Sequence, residues 1–384
     1  MPNIKTANFA LSYATLKRQF GDRLQDRWIT VKDFGATGDG STNDAPAIQA
    51  ALDFAYGTRA APHGSPGLPA GFHTGNLMYT NRPVYFPRGQ YKIASMLRVN
   101  VGYGVNLIGA GSHQTRLFWS GAEQMPPAEE DDTTDSALMT FYMCWGSRME
   151  GITFDASNTQ KWAFRLYHWP PDFADDEAGV GDDGSGGVYN DIAFINGAAG
   201  GFVSAGAKMG SERTFYNCRF MNNGTYGHRL LGQNALNHSF YGCRFEGNVY
   251  GMSAVAAGSG TFGYCTFANN SYFDIAHQYI SRIEDCVSTS TNFACTDGVL
   301  IGNRHLSSTP GIFCCTQDGP GPTIGASIFR ASMTGNVSTN GKLQVNSSQA
   351  KYYLKGNTFS NANYLAEPIS VGAFIWEDNV QRSP

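Results

Sequence analysis

Three acidic residues in the second half of the chain carry side chains suited to chemistry on a sugar polymer: Glu246, Asp274 and Glu284. Two carboxyl groups about 5–5.5 Å apart, or roughly 6.5–9.5 Å apart, can cleave a glycosidic bond. A single base beside a cationic group can instead remove the α-proton of a uronate. We therefore predict these three residues as catalytic, with a solvated face of stacked polar groups as the alternative for each.

Tyrosine and arginine residues recur near these carboxylates at constant spacing. Tyr216 and Tyr241 are 25 residues apart, as are Arg219 and Arg244. Alternate side chains of a strand face opposite sides, so the two arginines should share an outer surface. We predict that these four residues and His228 bind substrate, although a surface turn is the commoner setting for such a histidine.

Two polar segments, 123–136 and 168–188, interrupt the pattern and indicate long loops. Trp169 lies in the second, where an exposed indole can stack on a sugar. The acidic residues in this loop with suitable oxygen ligands for Ca²⁺ are Asp175, Asp176, Glu177, Asp182 and Asp183. The EF-hand spacing is absent, so we predict a solvated loop, no metal site and no cofactor.

An internal repeat spaces these candidates along the chain. A small or polar residue, then Ile, Cys or Asn, then any residue and often Phe, recurs from Ile152 to Asn379. From Ile192 onward the key position advances by 17 to 33 residues, most often by 21 to 26. Leucine-rich repeats share this period but require a leucine lattice that is absent. We predict an all-β fold, a single-stranded right-handed parallel β-helix whose coils each contain three short strands.

Equivalent residues of successive coils should stack in columns. The predicted interior columns are Cys218, Cys243, Cys265 and Cys286; Phe215, Phe240, Phe262 and Ile283; and Phe220, Phe245 and Phe267. Asn303, Asn336, Asn357 and Asn379 are predicted to form an amide ladder. No CxxC pair is present, so a buried stack of thiols is favoured over a metal or redox site. Phe215 and Cys218 are three residues apart, so strict alternation would place them on opposite faces, although both are predicted to point inward. The side that Tyr216 faces is therefore left open.

The bulk composition agrees with this fold and narrows the partners. Charged residues are 15% of the chain, against about 25% in an average protein, while 46 residues are glycine. A net charge of -4 without a basic run argues against a nucleic-acid partner, and no apolar stretch is long enough to span a membrane. The N-terminal residues lack the apolar segment of a signal peptide, which predicts synthesis in a cytoplasm and reduced cysteines.

Residues 29–54 contain a short strand, a glycine-rich turn and a capped helix, without the spacing of a dinucleotide or phosphate loop. The sequence VKDFGATGDGSTND followed by AIQAAL resembles the start of the pectate-lyase-like β-helix superfamily. That superfamily includes bacteriophage tailspikes, polysaccharide lyases and glycosidases of the polygalacturonase type. Residues 84–87 and 107–111 match it as well.

The resemblance implies that the first helix caps the open end of the solenoid, and that Asp33, Asp39 and Asp44 are turn and cap residues. The expected organisation is a helical neck or attachment segment at 1–27, a β-helix domain at 28–384, a capping motif at 29–55 and regular coils at 190–384.

The resemblance also implies a function. We expect a tailspike-like homotrimer in the virion, made in a host cytoplasm and attached to a tail or adaptor protein. It would bind a bacterial surface polysaccharide and depolymerise it by hydrolysis or elimination. The alternatives are a free-standing β-helix lyase, glycosidase, transferase or epimerase, and a non-catalytic virion structural or adhesion protein. Only 27 residues precede the motif and the repeat reaches Asn379, so we expect a minimal or adaptor-mounted spike or a free enzyme.

Overall fold

The computed structural model describes residues 28–56, 82–122, 137–167, 186–205, 211–231, 237–254, 259–277, 281–295, 298–316, 330–345, 351–360, 365–366 and 374–382. The expected neck at 1–27, the loop at 123–136, and most of the loop at 168–188 with Trp169 and the acidic residues considered for Ca²⁺ lie outside the described residues.

The described residues contain one 3-10 helix (Val31–Phe34), one α-helix, α1 (Ala45–Tyr56), and 35 strands. In chain order the strands are β1 (Ile29–Thr30), β2 (Asp39–Asn43), β3 (Val84–Phe86), β4 (Gly89–Ile93), β5 (Leu97–Tyr103), β6 (Asn106–Gly109), β7 (Thr115–Trp119), β8 (Ala137–Trp145), β9 (Ser147–Glu150), β10 (Thr153–Asp155), β11 (Trp162–Tyr167), β12 (Gly187–Asn190), β13 (Ala193–Ile195), β14 (Gly200–Ala205), β15 (Arg213–Tyr216), β16 (Arg219–Met221), β17 (Tyr226–Leu230), β18 (His238–Tyr241), β19 (Arg244–Glu246), β20 (Tyr250–Ala254), β21 (Gly260–Gly263), β22 (Thr266–Ala268), β23 (Phe273–His277), β24 (Ser281–Glu284), β25 (Val287–Ser288), β26 (Ala294–Cys295), β27 (Gly298–Ile301), β28 (Arg304–Thr316), β29 (Arg330–Thr334), β30 (Val337–Val345), β31 (Lys351–Lys355), β32 (Thr358–Ser360), β33 (Leu365–Ala366), β34 (Phe374–Glu377) and β35 (Val380–Arg382).

The strands form three parallel stacks that wind as a right-handed β-helix, as predicted. The first stack runs β1, β3, β6, β9, β12, β15, β18, β21, β24, β27, β29, β31 and β34. The second runs β2, β4, β7, β10, β13, β16, β19, β22, β25, β28, β30, β32 and β35. The third runs β5, β8, β11, β14, β17, β20, β23 and β26, then joins β28, β30 and β33.

Aromatic columns fill the interior because equivalent side chains of successive coils stand directly above one another. Phe215, Phe240, Phe262 and Ile283 are in register and fully buried, which confirms the predicted column. The Phe215 and Phe240 ring centroids are 4.9 Å apart and the rings are 10° from parallel. Burial of apolar surface in such a column stabilises the fold by roughly 25 cal/mol per Å². Because coils of equal length keep these side chains in register, this stabilisation favours equal coil lengths in the region.

The predicted asparagine ladder is confirmed. Asn303 Nδ2 donates to Asn336 Oδ1 at 3.0 Å, and the same bond recurs from Asn336 to Asn357 at 2.8 Å and from Asn357 to Asn379 at 2.8 Å. A second ladder, which we did not predict, links Asn223 to Asn248 and Asn248 to Asn270 at the next turn of the coil, at 3.0 and 3.1 Å. Both ladders provide hydrogen-bond partners for buried amide groups in the turns, which water cannot reach.

The cysteines stack as predicted. All seven whose side chains the structure describes are free and buried. Cys218 Sγ donates to the Tyr189 carbonyl at 3.4 Å, one coil below. Burial raises the pKa of the Cys243, Cys265 and Cys286 thiols well above the usual value, because a thiolate would be desolvated there.

The N-terminal segment closes the first coils. Ala45, Ile48 and Leu52 of α1 are buried in the same core as the interior columns. Asp44 accepts hydrogen bonds from the backbone N–H of Thr37 at 2.6 Å and of Gly38 at 3.0 Å, so it holds the turn before the helix. These contacts agree with the capping role expected of this segment.

Candidate functional site

A cleft of about 780 Å³ opens on the outer face of the second stack, in the N-terminal coils. Its lining residues are Gly38, Asp39, Gly40, Ser41, Arg88, Gly89, Gln90, Ser112, His113, Gln114, Arg116 and Thr153. Asp39, Gln90, Arg116 and Thr153 are register partners on β2, β4, β7 and β10, so the floor is one outward column of the second stack. A single chain therefore builds the cleft from residues more than 100 positions apart.

Arg116 is held in the cleft by a buried carboxylate. Its Nε and Nη2 donate to the same Oδ2 of Asp155 at 2.9 and 2.5 Å, and the Asp155 side chain is only 2% exposed. The other Asp155 oxygen accepts from Asn196 Nδ2 at 2.9 Å and the Ser157 N–H at 2.8 Å. A guanidinium has five N–H donors, so three of those on Arg116 are not used by Asp155. Its side chain is 44% exposed and presents these donors at the cleft.

A five-residue turn between β6 and β7 forms one wall of the cleft. Ser112 Oγ donates to Asp191 Oδ1, and the Ser112 N–H donates to Asp191 Oδ2 at 3.0 Å, two coils further along. Arg219 Nη2 donates to Ser112 Oγ at 2.6 Å, and its Nη1 lies 2.9 Å from His113 Nε2. A guanidinium only donates, so Nε2 of the exposed His113 accepts and Nδ1 carries the proton of the neutral ring. This wall joins the cleft to the surface around Arg219.

Asp39 lines the cleft, but its carboxylate is occupied by its own turn. It accepts from the N–H groups of Ser41 and Thr42, both at 2.8 Å, and from the Thr42 hydroxyl at 2.8 Å. The backbone donor of Thr42, followed by that of Ser41, holds the pKa of Asp39 well below its usual range. This is the turn role expected of Asp39.

Four of the predicted binding residues lie on the outer surface, in register. Tyr216 and Tyr241 are partners on the first stack, with ring centroids 5.6 Å apart, and Tyr216 is 42% exposed. Arg219 and Arg244 are partners on the second stack. Of these four, Arg219 reaches the cleft wall. Their role in binding stays a prediction.

The three predicted catalytic carboxylates are not brought together. Glu246 is paired with Arg244 at 2.6 Å on the second stack, and Glu284 with Arg282 at 2.7 Å on the first. The two glutamates are also two coils apart, which separates them by roughly 10 Å along the axis alone. Each carboxylate is paired with the arginine of its own strand, and the catalytic role of Glu246 and Glu284 stays a prediction.

Asp274 requires a correction, because it lies inside the solenoid with no exposed surface. Asn270 Nδ2 donates to it at 2.8 Å and Ser288 Oγ at 2.5 Å. Burial raises its pKa to about 7, against the opposing effect of these donors. A polymer on the outer surface cannot reach this carboxyl group, so Asp274 is not a catalytic candidate in this fold.

His228 requires the same correction. Its ring is fully buried and stacks on Phe202 at 4.6 Å, and neither ring nitrogen has a hydrogen-bond partner in the described structure. Burial, followed by the neighbouring His238, lowers its pKa well below the usual value. His228 occupies an aromatic position of the core and cannot contact a surface polysaccharide.

Sequence reasoning missed Arg116, Asp155, Ser112, His113 and Asp191. Most precede the region where the repeat is regular, so no column could be drawn through them. One signal was available: Asp191 stands in the repeat at the position of Asn217, directly before the key residue.

Among the residues that the structure describes, no three His, Cys, Asp or Glu side chains are grouped as a metal site would require, and no helix is long and apolar enough to cross a membrane.

A right-handed parallel β-helix with a polar cleft on its outer face is the architecture of the pectate lyase-like class of proteins. Within that class, the family described as rhamnogalacturonase A/epimerase, pectate lyase-like matches residues 28–253, which is more than half of the chain. The chain belongs to this family, and the matched residues include the whole cleft.

Comparisons with individual proteins agree with the fold. A segment of 92 residues is 38% identical to mannuronan C5-epimerase AlgE3 of Azotobacter vinelandii, covering 23% of this chain and 4% of that protein. The Dettilon tailspike protein (gp208) superposes with a TM-score of 0.57 at 10% identity, over 94% of this chain and 68% of that one. The A-module of mannuronan C-5 epimerase AlgE6 of Azotobacter vinelandii gives 0.50 at 15% identity, over 92% and 99%. The chain thus spans a small part of the curated relative it matches.

Proposed function

We propose that this protein binds an acidic polysaccharide in the cleft and acts on its uronate units as an enzyme. The observation that carries the proposal is the charge of the cleft: Arg88 and Arg116 line it beside His113, against one lining carboxylate, Asp39, which accepts three hydrogen bonds from its own turn. The guanidinium fork matches the geometry of a carboxylate, and Asp155 fixes the fork of Arg116 before any ligand binds.

The groups in the cleft favour proton abstraction over hydrolysis by two carboxylates. Removal of the α-proton of a uronate creates negative charge on its carboxylate, which Arg116 is placed to stabilise. His113 is the exposed imidazole of the cleft, and it can act as the base once its Nε2 is released from Arg219. The lining supplies one carboxylate, Asp39, whereas the two-carboxylate mechanism requires a flanking pair. Elimination and epimerisation at the uronate are the two reactions that share this first step.

The particular setting that we propose is a bacteriophage tailspike: a homotrimer, attached to a tail or adaptor protein, that acts on a bacterial surface polysaccharide. Its support is the fold shared with the Dettilon tailspike protein and the resemblance of the N-terminal motif. Light scattering on the full chain tests this setting. A trimer supports a spike, and a monomer favours a free-standing enzyme with the same cleft.

The activity is tested with polygalacturonate, alginate and hyaluronan, with dextran as the neutral control. We expect binding of at least one acidic polymer and none of dextran. New near-ultraviolet absorbance indicates elimination, and a changed uronate stereochemistry without chain cleavage indicates epimerisation. Arg116→Ala should weaken binding about 10- to 150-fold, the loss of one charge-assisted contact of about 1.5–3 kcal/mol.

The matched control is Arg148→Ala. Arg148 pairs with Glu150 at 3.0 Å on the first stack and is 61% exposed, so its removal should leave binding unchanged. Equal binding by wild type and the Arg116 variant contradicts the cleft assignment. If binding is tight and depends on Arg116 but the polymer is unchanged, the result indicates an adhesion protein and not an enzyme.

A further inference from the structure

The turn between the first and second stacks holds one residue per coil in the left-handed conformation. In ten successive coils these residues are Gly151, Asp191, Asn217, Gly242, Tyr264, Asp285, Gly302, Gly335, Gly356 and Asp378. Nine are Gly, Asn or Asp, the types that tolerate this conformation. Tyr264 is the exception, with φ of 55°. A bulky side chain with positive φ is a genuine outlier that requires an explanation.

Packing does not explain the tyrosine at this turn. Tyr264 is 67% exposed, and its ring makes no hydrogen bond or ring contact with the part of the chain that the structure describes. An exposed ring contributes little apolar burial to offset the backbone strain. Strained residues of this kind cluster at ligand-binding sites.

Two further tyrosines lead up to Tyr264 along the solenoid axis. Tyr216 and Tyr241 stack in successive coils, and their register partner in the next coil is Gly263. A Cβ at Gly263 would lie 2.9 Å from Cδ1 of Tyr241, so the Tyr241 ring covers this glycine, which directly precedes Tyr264 in the chain. We call Tyr216, Tyr241 and Tyr264 the tyrosine ladder. A hydroxyl-bearing column runs parallel to it on the same face: Thr214, Ser239 and Thr261.

The ladder is continuous with the cleft. Tyr216 and Arg219 flank the same two-residue turn, and Arg219 binds the cleft wall at Ser112. Asp191, which also binds Ser112, donates its backbone N–H to the Tyr216 carbonyl at 3.0 Å. A polymer leaving the cleft past Arg219 therefore meets Tyr216 first and Tyr264 last.

We propose that the tyrosine ladder is a second subsite that holds uncharged sugar units of the same polysaccharide, and that Tyr264 is its outer anchor. This inference rests on the proposed function. Aromatic rings beside hydroxyl groups offer the apolar faces and short hydrogen-bonding groups that suit uncharged pyranose rings, whereas the arginines of the cleft suit carboxylates. The polymer that fits both parts contains acidic and neutral units.

The test is affinity electrophoresis of the full chain through gels that contain polygalacturonate, which is wholly acidic, or hyaluronan or xanthan, which contain both kinds of unit. Tyr264→Asn keeps a residue that tolerates the left-handed conformation, and thermal unfolding confirms that it is folded. We expect at least a tenfold loss of affinity for a mixed polymer and none for polygalacturonate. The matched control is Tyr272→Asn, because Tyr272 is 45% exposed on another face.

The outcomes separate the two proposals. If Tyr264→Asn weakens binding and Arg116→Ala does not, the ladder stands and the cleft assignment fails. If Arg116→Ala weakens binding while the Tyr264 and Tyr272 variants match wild type in every gel, the cleft stands and the ladder is refuted. Failure of the wild type to bind either mixed polymer also overturns the ladder.

Discussion

Asn336 offers the sharpest test of how this solenoid is held together, through the substitution Asn336→Ala. The fully buried side chain of Asn336 joins three consecutive coils. Its Oδ1 accepts from the Asn303 N–H at 2.9 Å and from Asn303 Nδ2 at 3.0 Å. Its Nδ2 donates to the Leu300 carbonyl at 2.9 Å and to Asn357 Oδ1 at 2.8 Å. Alanine removes all four hydrogen bonds.

The expected loss follows from the groups that stay behind. Asn303 Nδ2 keeps its bond to the Ile283 carbonyl at 2.9 Å, and Asn357 Oδ1 keeps the Asn336 N–H at 2.9 Å. The Asn303 N–H and the Leu300 carbonyl lose their amide partner in a buried site. Each such group costs about 1–3 kcal/mol, so the free energy of unfolding should fall by about 2–6 kcal/mol. That is a large share of the 5–15 kcal/mol typical of a folded domain.

Urea denaturation followed by circular dichroism measures this loss, and hydrogen exchange at the Asn303 amide reports it locally. The control is Asn222→Gly, because Asn222 is an exposed turn asparagine in the left-handed conformation, which glycine adopts freely. The control should change stability by no more than about 0.5 kcal/mol. A loss below about 1 kcal/mol in Asn336→Ala, with unchanged exchange at Asn303, would refute the ladder as a source of stability.

Three further substitutions test individual features of the fold. Asp274 has a folded pKa of about 7, above the usual 3.8, so the folded state holds a proton that the unfolded state has lost, and stability falls as pH rises from about 4 to 7. The substitution Asp274→Asn should flatten this part of the pH profile of urea denaturation. An unchanged slope would contradict the raised pKa. His228→Phe replaces a buried ring without hydrogen-bond partners and should stabilise the fold by about 1 kcal/mol in thermal unfolding, whereas a clear loss of stability would mean that the imidazole has a polar role. Tyr264→Asn should raise the unfolding free energy by about 1 kcal/mol through relief of backbone strain, and an unchanged or lowered melting temperature would show that Tyr264 is not strained.

In the proposed site, aspartates fix the geometry and exposed groups would contact the substrate. Asp155 is buried and fixes Arg116, while Asp191 fixes the wall that carries His113. Neither aspartate is free for general catalysis, because each already accepts hydrogen bonds from neighbouring coils. The exposed donors of Arg116 and the ring of His113 are therefore the groups that would meet a substrate. Such preorganisation lowers the cost of binding a charged ligand.

The periodic part of the structure was predictable from the amino-acid sequence. Coils of nearly equal length place Phe215 above Phe240 and Asn303 above Asn336, so a repeat in the sequence becomes a column in space. The turn and cap roles of Asp39 and Asp44 were implied by the resemblance of the N-terminal motif, and both carboxylates bond to donors within seven residues of themselves. Both features depend on short-range geometry or on strict repetition.

The faces of the third stack and the composition of the cleft were decided by tertiary structure. The four-residue turn that begins at the left-handed Asn269 resets the strand that follows, and both Asp274 and Ile275 are fully buried. Alternation counted from the inward Phe267 would place Asp274, seven residues later, on the outer face. The cleft likewise unites residues between Gly38 and Thr153 from irregular coils. Their proximity depends on register between distant strands, which is set by backbone hydrogen bonding across the whole solenoid and leaves no local mark in the sequence.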